Sequence, residues 1–400
     1  MFWDRQIDNA ITRLKRDVHA PVRVVLWDGR EVDLDDDPRV TIRLNDASTA
    51  SALRKPTLFA LAKAYIEGDA DIEGDVREAI QGAEAISRAT GSRGGRVASG
   101  LRHSRRDDRD AIHHHYDVSN EFYALWLDPR MVYSCAYFRD EADSLQTAQR
   151  QKLDHICRKL RLAPGERLLD IGCGWGALVI HAVREYGVDA TGITLSENQH
   201  RLALERIREA GLQDRCRVLL MDYRDLPGEG TYDKVASVGM FEHVGLANLP
   251  VYFGTVRRVL KERGLFLNHG ITSSDVGNRE VGMGAGEFID RYVFPKGELP
   301  HLHRAILDMS AQHFEVHDVE SLRPHYAKTL ALWSAAFERN FAAAAKLADE
   351  RTARIWRLYL AGCAHAFEQG WISIYQVLAT RRVGAGPTGL PLTREWMYPR

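Results

Sequence analysis

Hydrophobic and polar positions follow two different periods along this chain, and the change of period divides it. Short apolar runs at 167–171, 188–193, 217–221, 232–238 and 265–271 alternate with helical runs near 177–187, 197–211 and 248–261. That alternation predicts a mostly parallel sheet with helices on both faces. Ahead of it the pattern is more broken. Val22 to Trp27 reads as a strand, Asp33 to Asp37 as an acidic turn, Thr57 to Ile66 as a helix, and Gly68 to Asp75 as strand and turn before another helix. Behind it the chain reads as helical: from Ile355, the side chains Leu358, Tyr359, Gly362, Cys363, Ala366 and Phe367 recur on one helix face. Packing is the first explanation of that stripe, and a lid over a greasy substrate is the second.

Three segments follow: a small α+β domain over 1–91, a linker over 92–110, and an α/β unit with a helical C-terminal part over 111–400. The linker carries Arg93, Arg96, Arg102, Arg105, Arg106 and Arg109 among glycines and serines, which suits a solvated tether or a basic contact for phospholipid headgroups. A net charge of −1 over 400 residues gives no global field for nucleic acid or an anionic membrane. No window reaches the roughly 18 uncharged apolar residues of a spanning helix, and the start lacks the order of a signal peptide. The expected location is therefore cytoplasmic, or peripheral to the inner face of a membrane. The five cysteines, Cys135, Cys157, Cys173, Cys216 and Cys363, are widely spaced without a C-x-x-C pair, which argues against a disulfide framework and a zinc site. His113-His114-His115 lacks a carboxylate at helical spacing, so no metal site is expected.

Candidate chemistry starts where the first strand of the α/β unit ends, in Leu168-Leu169-Asp170-Ile171-Gly172-Cys173-Gly174-Trp175-Gly176. Glycines there let the backbone take left-handed conformations and let a ligand approach closely, and helix formers from Ala177 onward would aim amide N–H groups at it. The second strand ends in Thr194-Leu195-Ser196-Glu197-Asn198-Gln199, not in the lone acidic residue that holds the ribose of NAD. The third ends in Asp222-Tyr223, an acid and a ring suited to adenine. The ligand that fits is S-adenosylmethionine.

Several motifs then converge. His115-Tyr116-Asp117-Val118-Ser119-Asn120-Glu121-Phe122-Tyr123, Leu127-Asp128-Pro129 and Tyr133-Ser134-Cys135-Ala136-Tyr137-Phe138 resemble the segment preceding the cofactor domain of cyclopropane-fatty-acyl-phospholipid and mycolic acid cyclopropane synthases. The glycine turn and the 194–199 segment share the resemblance, as do Phe241-Glu242-His243-Val244-Gly245, the run from Tyr292 to Pro300, Pro324-His325-Tyr326-Ala327-Lys328-Thr329-Leu330 and Gly362-Cys363-Ala364. These motifs stand in order from about His113 to Ala379.

The resemblance implies a class I methyltransferase with a Rossmann-like sheet, helical lid segments and a small N-terminal domain. It also implies an activity: adding a methylene carbon from S-adenosylmethionine across a cis double bond of a phospholipid acyl chain. An alkene is a poor nucleophile, so it must be held against the sulfonium methyl in a dry pocket. A base then removes a proton from the added methyl, and the family holds a bicarbonate ion for that step. Its ligands carry over as Cys135 and Ile271 (main-chain contacts), Glu242 (orienting carboxylate), His269 (donor at the end of the fifth strand) and Tyr326 (closing phenol). Read singly, Glu242 also suits a helix N-terminal charge, His269 a satisfied core histidine, and Tyr326 a buried ring. Cofactor contacts carry over as Tyr133, Ser134, the turn from Leu168 to Gly176, the segment from Thr194 to Gln199, and Tyr223, with Asp222 beside it. Cys363 matches a cysteine proposed as catalytic in the family, but a thiol has no evident task in this chemistry, and helix packing is its first reading.

The expected partners are unsaturated phospholipid acyl chains at a membrane surface, with no nucleic acid and a homodimer left open. Residues 1–91 tilt the reading toward intact phospholipids, since a substrate inside a bilayer requires docking, in which Phe2 and Trp3 could take part. Two enzymatic alternatives stay open: a methyl- or methylene-branched product on the same substrate, and small-amine N-methyl transfer. A non-enzymatic lipid-binding protein is disfavoured by the intact glycine turn.

Overall fold

In the computed structural model, residues 11–49, 56–91, 118–277, 283–295, 297–384 and 386–399 are described. The histidine run, the arginine linker and the aromatic residues at positions 2 and 3 lie outside them. The N-terminal unit forms a four-stranded sheet from β1 (Val22–Val25), β2 (Glu31–Asp33), β3 (Val40–Leu44) and β4 (Ala70–Glu73), in the order β2-β1-β3-β4. Its helices span Leu58–Glu67 and Val76–Ala89. The first starts where Thr57 accepts the Ala60 N–H and stops at Gly68, whose φ of 83° releases the chain into β4.

The larger sheet contains β5 (Arg167–Ile171), β6 (Asp189–Thr194), β7 (Cys216–Leu220), β8 (Tyr232–Val238), β9 (Leu260–Ser273), β10 (Phe314–Ser321) and β11 (Ile372–Arg381), in the order β10-β11-β9-β8-β5-β6-β7. From β7 to β9 every pairing is parallel; β11 runs antiparallel to both β9 and β10. The fold is a class I methyltransferase sheet covered by helices.

Two expectations need correcting. The C-terminal part is not purely helical, because β10 and β11 complete the sheet. The β11 segment is buried along nearly its whole length, so it lacks the period-two alternation that marks a half-exposed strand. The fifth strand is twice as long as its apolar core suggests, 14 residues, and His269 lies inside it, paired across to Gln376 of β11, not at its end.

Helices Arg323–Arg339 and Glu350–Glu368 pack together as a layer that also touches the N-terminal unit. One core cluster runs through all of these parts, joining Tyr65, Ile66 and Val76 to Phe122, Trp126, Trp333, Trp356 and Leu360. The N-terminal unit also has a core of its own, around Leu14, Val22, Leu26, Leu34 and Ile86, so the two units are joined by a shared cluster in addition to their separate cores. No helix among the described residues is long and apolar enough to cross a membrane.

Candidate active site

A cleft of about 140 Å³ with a mixed polar and apolar lining opens at the carboxyl ends of β5 and β6. Gly172, at φ 83°, sits so close to Met240 that an added Cβ would lie 2.9 Å from the Met240 Cβ. Gly174, at φ 55°, faces open space within 4 Å, so the turn keeps a void beside bare backbone. Helix Ala177–Tyr186 then starts at Gly176 without a side-chain cap. A bare turn and uncapped helix start suit the polar end of S-adenosylmethionine.

Of the residues expected to bind the cofactor, Tyr133, Ser134, Asp170, Ile171, Gly172, Cys173, Gly174, Trp175, Thr194, Leu195, Gln199, Asp222 and Tyr223 line this cleft. Leu168 and Leu169 are instead fully buried, in separate cores on the two faces of the sheet. Gly176, Ser196, Glu197 and Asn198 also lie off the wall: Ser196 caps helix Glu197–Glu209, and Asn198 accepts from Arg201. Thr194 Oγ1 donates to Gln199 Oε1 at 2.8 Å, which fixes the amide in the wall. Asp222 accepts from the Arg224 guanidinium at 2.8 and 2.6 Å, and that guanidinium lies 5.2 Å over the Tyr223 ring.

Several cleft residues escaped the sequence reading, Lys152, Met221 and Arg224 among them. Lys152, on helix Leu145–Lys159, donates to Ser134 Oγ at 2.8 Å, and burial pushes its ammonium down to about 8. Asp170 is buried nearby; burial pushes its carboxyl up to about 7, while Lys152 pulls it back. Its Oδ1 has no hydrogen-bond partner. Only the register of Lys152 one turn past Gln149, whose amide donates to Ser134 O at 2.9 Å, could have signalled its place.

A second, largely apolar cavity of about 310 Å³ meets the cleft at Tyr133, Ser134, Gly239 and His243. Cys135, Glu242, His269, Ile271, Tyr326 and Cys363 all line it. Glu242, in the turn Phe241–His243, accepts the Ile271 N–H on Oε1 at 2.7 Å, while Oε2 is buried without a partner. Burial pushes this carboxyl up to about 7. The Ile271 N–H is thus spent on Glu242. His269 is wholly buried, and burial, with Lys152 and Lys159 nearby, holds its ring neutral. Gln376 Nε2 approaches its Nδ1 at 3.1 Å; with the amide so oriented, the ring proton sits on Nε2, which has no partner.

Tyr326 packs on Phe367 at 4.7 Å, and Cys135 is buried with its thiol pushed up by that burial. Burial also pushes the Cys363 thiol up to about 12, so it carries no thiolate at neutral pH. Tyr133, at the junction, is braced by Trp126 and Trp333 at ring separations of 5.3 and 5.4 Å.

A family model described as mycolic acid cyclopropane synthetase matches residues 103–377. This chain belongs to that family. It is an S-adenosylmethionine-dependent methyltransferase of the cyclopropane synthase type. A second model, described only as a domain of unknown function, matches residues 11–90. Among relatives, a probable fatty acid methyltransferase of Pseudomonas putida is 50% identical over 382 residues, covering 95% of this chain and 97% of its own. The cyclopropane-fatty-acyl-phospholipid synthase of Escherichia coli K12 is 42% identical over 275 residues, 68% of each chain. The crystal structure of mycolic acid cyclopropane synthase CmaA1 complexed with SAH and CTAB superposes with a TM-score of 0.64 at 38% identity, covering 68% of this chain and 98% of that one.

Proposed function

We propose that this cyclopropane synthase family member transfers a methylene group to a cis double bond of an unsaturated phospholipid acyl chain, closing a cyclopropane ring. The observation that carries this reading is the junction: a largely apolar cavity meets the cofactor cleft beside two buried, unpartnered polar atoms, Glu242 Oε2 and His269 Nε2. S-adenosylmethionine, held by the glycine turn, Gln199 and the Lys152–Ser134 pair, supplies an electrophilic methyl. The apolar walls exclude water and orient the alkene toward the cleft. Glu242 and His269 form a cradle for a small anion, since leaving two such atoms unpaired in a dry cavity is costly. Bicarbonate fits that cradle and supplies the base. The net change is gain of CH2: one methyl arrives as CH3⁺ and one proton leaves.

A second reading is favoured by the relative named as a probable fatty acid methyltransferase. If a hydride shift first carries the cation to the methyl-bearing carbon, loss of a methyl proton leaves a methylene branch, and loss of a proton from a chain carbon leaves a methyl-branched alkene, rather than a ring. Mass spectrometry of membrane lipids from cells expressing the chain should show acyl chains heavier by one CH2. NMR of that product should show ring protons; vinylic protons would establish the branch instead, and no mass gain would remove both readings.

A further inference from the structure

The 310 Å³ cavity does not end within the methyltransferase unit. Ile42 and Leu44 of β3, Ile72 of β4, Leu61 of helix Leu58–Glu67, and Ile80 and Ala83 of helix Val76–Ala89 form part of its wall. All six belong to the N-terminal unit, and all but Leu44 are only partly buried. Opposite stands helix Glu350–Glu368, where a Cβ added at Gly362 would lie 3.9 Å from Ile80 Cδ1. The cavity thus reaches from the reacting end to a domain whose own core does not use these side chains fully.

The N-terminal unit is pinned in this position. Arg354 Nη1 donates to Tyr65 O at 2.8 Å and Ala70 O at 3.2 Å, and its Nη2 donates to Asp71 at 2.8 Å. Arg357 Nη1 donates to the Tyr65 hydroxyl at 2.9 Å. A buried contact between His365 Nε2 and Glu84 Oε2 closes the same seam. Phe59 stacks on Tyr292 at 6.2 Å on the other flank. Thr49, a polar residue of this wall, donates its hydroxyl to Asp69 O, so the surface offered to a ligand is aliphatic.

We propose that the N-terminal unit is an acyl-binding domain: it holds the terminal-methyl segment of the substrate chain and sets how many carbons lie beyond the reacting double bond. This rests on the acyl-chain reading above and deepens it. A charged headgroup has no counterpart among aliphatic walls and must stay toward solvent, whereas a hydrocarbon tail loses nothing there. With the double bond fixed near Glu242, the room beyond it measures the tail.

The test uses the full chain, S-adenosylmethionine carrying an isotopic methyl label, and vesicles containing two phospholipids in equal amounts. Both have a cis double bond at the same distance from the glycerol, with a shorter or a longer terminal segment. Ala83→Leu should fill part of the cavity, at the wall contributed by the N-terminal unit, and raise the short-to-long labelling ratio by about tenfold or more, the scale of discrimination per misfitted methylene. Ile80→Ala should enlarge it and lower the ratio, so the two variants move in opposite directions while cofactor affinity stays at the parent value. Unchanged ratios in both variants, each folded and binding cofactor normally, would overturn the assignment. No label in any unsaturated phospholipid from the parent enzyme would overturn the acyl reading and this inference with it.

Discussion

The two cavities that meet at Tyr133 are built in opposite ways. The cofactor cleft is the more polar of the two, formed mostly by consecutive residues at the ends of neighbouring strands, and its glycine turn departs from ordinary backbone geometry. The larger cavity is apolar and assembled from side chains between Ile42 and Ile374, contributed by both units. Local backbone chemistry makes the first; long-range packing makes the second. Changes in the cleft should therefore alter cofactor binding, and changes in the larger cavity should alter turnover or substrate choice with the cofactor still bound.

The largest expected break is Gly174→Val. A Cβ would project into the open cleft, and a branched residue at φ 55° adds backbone strain of about 1–3 kcal/mol. Calorimetry should find no S-adenosylmethionine binding in a protein that still unfolds cooperatively. Retained affinity would show that the cleft does not hold the cofactor at this turn.

Glu242→Gln addresses the other side of the junction. The amide keeps an oxygen for the Ile271 N–H, so the fold should hold, but it can neither take nor give a proton. Cofactor affinity should stay near normal while turnover falls by about 10² or more, the usual scale for a lost proton-transfer or electrostatic partner. Depleting dissolved carbon dioxide should slow the parent enzyme, and bicarbonate should restore it. Full activity of the variant without a bicarbonate response would favour a product formed without that base. The same carboxyl predicts a stability effect. Its folded value lies near 7, above the ordinary 4.5, so the folded state binds the extra proton and stability falls as pH rises between those values. Glu242→Gln should remove that slope, raising Tm more at pH 8 than at pH 5.

A smaller, graded effect is expected at Lys152 and Asp170. Asp170 ionises near 7, so if its carboxylate holds the cationic cofactor, affinity should be full above that pH and decline as pH falls through it, by up to tenfold per unit. Lys152→Gln removes the positive charge that favours ionisation, so the decline should begin at higher pH. Titration calorimetry across pH 6 to 9 on both proteins checks the direction; coincident profiles would separate Lys152 from Asp170.

This contrast also explains what the sequence revealed. The glycine turn, the 194–199 segment and Glu242 were legible because each is a short motif whose chemistry depends on neighbours in the chain. Leu168 and Leu169 share that motif, yet strand alternation turns them into the two cores flanking β5. β11 was missed because burial on both faces erases the alternation that marks a strand, and β10 because this edge strand buries only Phe314 and Asp318 and so shows no apolar alternation either. Lys152 was hidden because a lysine on a helix usually faces water, and only tertiary packing buries it. The part that Ile42, Ile72 and Ile80 take in the wall of the larger cavity left no local signal, since they look like ordinary core positions of a small domain.

Cys363 supplies the smallest expected effect and the sharpest check on that lesson, because it shares a motif and a cavity wall yet has no assigned chemistry. Burial holds the thiol at about 12, so at neutral pH fewer than about one molecule in 10⁴ carries a thiolate. Such a group is a poor nucleophile and a poor base, and its contact with the cavity is that of a small apolar side chain. Cys363→Ala removes one sulfur from a wall already facing space, so turnover should stay within a few-fold of the parent, with cofactor affinity unchanged. Any loss should appear in the KM for lipid rather than in kcat, because only the fit of the chain is altered. A fall in kcat approaching that of Glu242→Gln would place the sulfur among the reacting groups and would mean that the cavity wall does more than shape the substrate.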